Sequence, residues 1–201
     1  KNRLSELTAA ADVILIGPGL AEDELAQKTF DAVWKTVKPK QTLIIDGSAL
    51  NLLAKKASIQ WPTKNIILTP HQKEWERLSG LVISEQTKKA TQAALAHFPK
   101  GTILVAKSHR TKIYQGNRVG ELRVGGPYQA TGGMGDTLAG MIAGFAAQFK
   151  SDLFETTAAA AYLHSAIAQA LAQKAYVVLP TRISKELPKW MKEMSEDSLS
   201  Q

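Results

Sequence analysis

The run Ala130-Thr131-Gly132-Gly133-Met134-Gly135-Asp136-Thr137-Leu138-Ala139-Gly140 crowds three glycines into four positions, follows the third with an aspartate, and continues into an apolar helical pattern. Glycine lets backbone amides turn inward and lets a ligand approach with no side chain in the way. A helix starting at Gly135 or Asp136 would direct free N–H groups and the positive end of its dipole at the same point. Such a place suits an anion, above all a phosphate. A carboxylate beside a phosphate is repelled unless it has a task, and accepting the proton of an attacking hydroxyl is such a task. Asp136 is therefore the candidate general base. The plain alternative is a structural turn ahead of a helix. The run is not the nucleotide loop that ends in Lys-Ser/Thr, because Asp136-Thr137 stands there. Nor is it the dinucleotide fingerprint, since Val124 to Tyr128 makes no clear strand leading into it.

The elements that must position this loop are legible as alternating patterns. Val13-Ile14-Leu15-Ile16 ends in Gly17-Pro18-Gly19, and Leu43-Ile44-Ile45 ends in Asp46-Gly47-Ser48. Ile66-Ile67-Leu68 ends in Thr69-Pro70-His71, and Ile103-Leu104-Val105 in Ala106-Lys107-Ser108. Each run reads as a buried strand, with helical patterns over 22–37, 48–56, 72–79 and 84–98 between them. The alternation predicts a parallel sheet with helices on both faces, whose ligands bind beyond the carboxyl ends of the strands. Thr111 to Gln115 and Arg118 to Val124 flank Gly116-Asn117, a two-residue hairpin turn that extends the sheet with antiparallel strands. Helices follow over 135–149, 153–174 and 182–193, and the polar tail from Ser195 to Gln201 is expected to fray. No repeat, linker or low-complexity segment interrupts the chain, so residues 1–201 read as one domain.

The polar residues at the strand ends are the remaining candidates. Gly17-Pro18-Gly19 is a rigid, bare loop where a flat or phosphorylated ligand could lie, or a plain strand-to-helix turn. His71 either caps the helix after it or contacts a ligand. Lys107-Ser108-His109-Arg110-Thr111 reads as a phosphate or nucleotide contact, or as a solvated turn. Asp46 either serves a metal–water shell or caps Ala49, and the structural role is favoured. His97 and His164 fall on helices and read as core or surface residues. No His/Asp/Glu set has metal-ligand spacing, so no protein-caged metal is expected, and Mg²⁺ would arrive on nucleotide phosphates.

Bulk composition narrows the class. A chain of 201 residues, 44% hydrophobic and 21% charged, is a globular domain with room for a full core. It has no cysteine, which removes disulfides, thiolate metal sites and cysteine nucleophiles and fits a reducing compartment. No apolar run approaches the roughly 20 residues of a membrane span, and no signal peptide is visible, so a cytoplasmic location is expected. The chain begins at Lys1 without a methionine, so an upstream segment is expected to be missing. The net charge of +7 is scattered along the sequence and suits a polyanionic small ligand. No basic stripe interleaved with aromatics points to nucleic acid.

Taken in order, Gly17-Pro18-Gly19-Leu20, Asp46 to Leu53, Leu68-Thr69-Pro70-His71 with Glu74, Lys107 to Thr111, and Thr131 to Asp136 resemble the ADP/ATP-dependent NAD(P)H-hydrate dehydratases. The resemblance runs from about Val13 to Met191. The glycine-Asp motif is shared with many small-molecule kinases, whereas the Thr-Pro-His and Asp-x-x-Ala-Leu-Asn elements together are more specific. The resemblance implies a ribokinase-like three-layer sandwich, with a mainly parallel sheet, helices on both faces and an antiparallel hairpin extension. It also implies a repair reaction, in which the hydroxyl of hydrated NADH or NADPH is phosphorylated by ADP or ATP, with Mg²⁺, and phosphate is then eliminated. On matching positions Asp136 is the catalytic base. Lys107, Ser108, His109, Arg110, Thr111, Gly132, Gly133 and Gly135 contact the nucleotide, and Gly19, His71 and Asp136 contact the hydrated cofactor. A homotetramer is expected, with neither nucleic acid nor membrane as partner.

Three positions depart from the family pattern: Ala21 stands where a second glycine is common, Asp46-Gly47-Ser48 replaces Asp-Ala-Asp, and Lys107-Ser108 replaces Lys-Gly. The second weakens a metal–water role for this segment. The family also has further N-terminal strand–helix units, which this chain is expected to lack. Two rival readings remain: a small-molecule kinase of the same fold acting on a vitamin precursor, and a non-catalytic nucleotide-binding module.

Overall fold

The computed structural model describes residues 3–199. Its centre is a six-stranded sheet in the order β1 (Val13–Ile16), β2 (Thr42–Ile45), β3 (Ile66–Leu68), β4 (Ile103–Ala106), β5 (Lys112–Gln115) and β6 (Arg118–Glu121). The first four strands are parallel and the last two antiparallel. Side chains alternate between the two faces of a strand. Ile44, Ile67, Ile103 and Val105 enter one core, under α6 (Met134–Gln148), α7 (Leu153–Ala172) and α8 (Pro180–Leu199). Leu43, Ile45, Ile66, Leu68 and Leu104 enter the other, under α2 (Glu24–Thr36), α3 (Ser48–Ala54), α4 (Gln72–Ser79) and α5 (Lys88–Leu95). Burial on both faces is why these strands read as continuous aliphatic runs, not as an alternation. Each such side chain contributes about 1.5–3 kcal/mol by leaving water.

Three elements differ from the sequence expectation. A helix, α1 (Arg3–Ala10), precedes the first strand. Leu4 packs it against the second core, and Gln41 Nε2 donates to the carbonyls of Thr8 and of Ala11 just after the helix, at 2.7 and 2.6 Å. The segment expected as one helix over 84–98 divides into a 3₁₀ turn, Ile83–Glu85, and α5, because Thr87 accepts from Ala90 N–H and caps a new start. The last helix runs to Leu199 instead of ending near 193. Pro180 opens it, where a missing N–H costs nothing, and the Lys189–Glu193 and Lys192–Glu196 pairs line its exposed face. The tail expected to fray is helical as far as Leu199, while Ser200 and Gln201 lie outside the described residues.

The turns follow from their glycines. Leu20 N–H donates to Gly17 C=O at 3.0 Å across Pro18 and Gly19, whose φ is +68°. That is a type II turn, which takes proline second and glycine third. In the β5–β6 hairpin Gly116 has φ +56°, and Asn117 has no positive φ. This matches the primed turn with glycine in its first central place.

Candidate active site

The carboxyl ends of β1 to β4 lie side by side and carry the polar residues predicted there. Gly17 follows β1 so closely beneath the β2 end that a Cβ on it would stand 1.7 Å from the Asp46 carbonyl oxygen. Asp46 follows β2 and is 1% exposed. Its side chain does not cap α3; the Asp46 backbone carbonyl accepts from Ala49 N–H instead, at 3.2 Å. The carboxylate Oδ1 accepts from Thr69 Oγ1 at 2.7 Å and from Lys107 Nζ at 2.8 Å. Pro70 C=O accepts from Lys107 N–H at 2.8 Å, and His71 and Lys107 form a parallel bridge that prolongs the β3–β4 pairing into the site.

His71 does cap the helix after it. Its Nδ1 accepts from the amides of Lys73 and Glu74 at 3.1 and 3.3 Å, while Glu74 Oε2 accepts from His71 N–H at 2.7 Å. This reciprocal capping satisfies three orphan donors. The imidazole remains half exposed at a cavity of about 400 Å³, which Lys107, Ser108, His109 and Arg110 also line. Glu74 is buried and its Oε2 lies 3.9 Å from Lys107 Nζ. The Lys107 ammonium thus faces two buried carboxylates.

The glycine loop reaches the same place from the other core. Gly133, at φ +79°, ends the loop in the left-handed region, and α6 begins at Met134, one residue ahead of the expected start. Gly135 and Asp136 are the second and third helical residues, among the orphan N–H groups of the first turn. A Cβ on Gly135 would lie 3.3 Å from Lys107 Nζ. Lysine charge and helix dipole therefore converge. Asp136 is exposed, and its side chain has no hydrogen bond or ion pair among the described residues.

The structure separates Lys107 from its four neighbours. Ser108, His109 and Arg110 are exposed, and Ser108 Oγ accepts from Arg110 N–H at 3.2 Å and donates to Arg110 C=O at 2.7 Å. Thr111 holds the chain just after β6 through its carbonyl, which accepts from Leu122 N–H at 2.9 Å. His109 and Arg110 also line a second cavity, of about 740 Å³, with Glu121, Arg123 and Gly125. His109 and Arg110 lie between the two cavities, while Lys107 and Ser108 line only the first. Only Lys107 turns inward. Gly19 is exposed on the loop after β1, with open space around its missing side chain.

Sequence reasoning passed over the supports of the glycine loop. Gln169 Oε1 accepts from Gly125 N–H and Gln129 Oε1 from Gly126 N–H, both at 3.2 Å. Val178 N–H donates to Tyr128 C=O at 3.0 Å, and Thr131 Oγ1 donates to Val178 C=O at 3.2 Å. The lead-in segment is thereby tied to α7 and to the chain after it. His164, 3% exposed on α7, stands 3.4 Å from Gln129 Nε2. Burial lowers its pKa to about 4. The neutral ring is then favoured by the fold, so its stabilisation is complete above pH 6.5 and lost as pH falls toward 4. At the lower end the loss is about 3 kcal/mol. We expect His164→Gln to have a flatter urea-midpoint profile than wild type between pH 7 and 4.5. Parallel profiles would contradict this.

A parallel sheet with a lysine at one strand end, facing a glycine loop on a helix N-terminus, makes this a ribokinase-like α/β protein. The chain belongs to the NAD(P)H-hydrate dehydratase family, whose model matches residues 1–189. It is 61% identical to the ADP-dependent (S)-NAD(P)H-hydrate dehydratase of Streptococcus thermophilus over 96% of this chain and 70% of that protein. Among solved structures, a hypothetical protein of Streptococcus mutans matches at 74% identity and TM-score 0.94, covering 96% of this chain and 70% of that one. The ADP/ATP-dependent NAD(P)H-hydrate dehydratase of Bacillus subtilis, co-crystallised with ATP and Mg²⁺, matches at 30% identity and TM-score 0.76, covering 94% and 69%. The chain spans about two thirds of the length of these relatives.

Proposed function

We propose that this protein regenerates NADH and NADPH from their hydrates with ADP as phosphoryl donor, by phosphorylation of the hydrate hydroxyl and elimination of phosphate. The observation that carries the reading is the convergence of the Lys107 ammonium with the first turn of α6, which also bears Asp136. Asp136 takes the hydroxyl proton as that oxygen attacks the terminal phosphorus of ADP, and AMP leaves. Phosphate then departs with the former hydroxyl oxygen while the neighbouring ring carbon gives up a proton to solvent, and the ring double bond forms between the two carbons. The gain is in the leaving group, since phosphate leaves far more readily than hydroxide. The amides of Gly132, Gly133 and Gly135 meet charge that grows on the transferring group, a contribution of about 3–4 kcal/mol where such a donor is preorganised. Ser108 to Thr111 hold the nucleotide, Lys107 stands at its phosphate end, and Gly19 and His71 border the hydrated cofactor.

Among the described residues no group of three His, Cys, Asp or Glu could enclose a metal ion. A Mg²⁺ would instead arrive on the nucleotide phosphates, where it would neutralise phosphate charge. We further propose a single domain that works in the cytoplasm as a homotetramer. A large apolar helix set from Gly135 to Ala175 motivates the assembly, and no helix among the described residues is long and apolar enough to cross a membrane. Light scattering at micromolar concentration reads the assembly, and a monomer would remove that part. Incubation with hydrated NADH and ADP tests the activity. Reduced-nicotinamide absorbance should return. A stable phosphorylated product without that return would make the protein a small-molecule kinase, and nucleotide binding without turnover would make it a binding module.

A further inference from the structure

We propose that Lys107 acts on the phosphoryl group in transfer, not on the resting nucleotide, and that Asp46 is the positioning residue that holds it there. The proposal rests on the phosphorylation–elimination reading above.

A lysine ammonium is a compact charge on a flexible stem, and a mobile one is spread over many positions. In this protein that freedom is removed twice. The Lys107 backbone is fixed by its amide bond to Pro70 C=O at 2.8 Å, and its ammonium by Asp46 Oδ1 at 2.8 Å. Asp46 is itself held by Thr69 Oγ1, which donates to the same oxygen at 2.7 Å. A carboxylate this buried has no other use for its charge, and leaving it unpaired would be costly. The pair therefore fixes where the positive charge stands before any ligand arrives. That place is 3.3 Å from the Cβ that Gly135 lacks, at the first turn of α6.

Preorganised charge aimed at a site of developing negative charge lowers a transition state more than a ground state. The neighbours in the same run are placed differently. Ser108, His109 and Arg110 are exposed, all three along the cavity that Lys107 also lines and the last two along the second as well, and are suited to the parts of the nucleotide that do not react. One five-residue run thus serves two tasks, divided at its first residue. The absence of a side chain at Gly135 has the same explanation. A methyl group there would press on the end of the Lys107 side chain and move the ammonium by a few tenths of an ångström.

The test compares kcat, the KM for ADP and the equilibrium binding of ADP in wild type, Lys107→Met, Asp46→Asn and Gly135→Ala, with hydrated NADH saturating. Lys107→Met should lower kcat about 100-fold, with ADP binding changed less than about threefold. Asp46→Asn keeps an oxygen for Thr69 and removes the charge. It should lower kcat between about 10- and 100-fold with the KM for ADP held, as should Gly135→Ala. A merely structural role for Asp46 would lower the melting temperature and leave kcat of the folded protein intact. Should Lys107→Met fail to fold, the other two variants decide. Wild-type kcat with a raised KM for ADP in these variants would overturn the proposal and leave the dehydratase reading standing. A wild-type protein that binds ADP without restoring NADH would overturn both.

Discussion

Asp136→Asn is expected to lower kcat by about three orders of magnitude while ADP binds as before. Asparagine keeps the size and one hydrogen-bonding oxygen and cannot take a proton. Asp136 is the third residue of α6 and exposed, so its loss should disturb neither core. A carboxylate in the first helical turn also favours the dipole, but that effect is about 0.3–1 kcal/mol of stability and does not touch the rate. The two roles are separable by measuring kcat and the unfolding midpoint on the same variant. If Asp136→Asn retains more than about a tenth of the wild-type rate, a difference of only ~1.4 kcal/mol, Asp136 is not the base.

Gly17→Ala should be the most damaging single methyl addition in the site. Gly17 has φ +124°, and its Cβ would stand 1.7 Å from the Asp46 carbonyl oxygen, a backbone atom that cannot rotate away. Backbone strain and overpacking together predict a loss of about 3–5 kcal/mol in urea unfolding. Gly19→Ala is the control two residues on. Its φ is +68°, with nothing within 4 Å of the added carbon, so it should lose about 1–2 kcal/mol. Equal midpoints for the two variants would refute the close approach of the β1 and β2 ends, and with it the packing that fixes Asp46.

The strands were legible because short β-branched runs between polar turns leave few alternatives, and all four parallel strands lie within a residue of their expected limits. Helix α1 was not legible, because Gln41 and Lys38 hold it from afar and its own pattern is weakly amphipathic. The division of the 84–98 segment depended on one cap, Thr87, inside a stretch that otherwise suits a helix. At the site, local chemistry spoke clearly: the glycines, Asp136, and the polar strand ends. Relations across the chain did not. Asp46 and Lys107 are 61 residues apart, and only the sheet order brings them to 2.8 Å. His71 could cap or bind, and its place among the strand ends favoured a ligand contact. The structure gives it the cap and still leaves the ring half exposed at a cavity.

The most direct measurement of the central claim follows the hydroxyl oxygen of the hydrate. Hydrated NADH carrying a heavy-oxygen label in that hydroxyl is incubated with the protein and ADP, and the label is located after turnover. Phosphorylation of the hydroxyl followed by elimination places the label in inorganic phosphate, in amounts equal to the NADH and AMP formed. Label found in water, with phosphate unlabelled, would mean that the hydroxyl left without being phosphorylated, and the roles given to Asp136 and the glycine loop would be wrong.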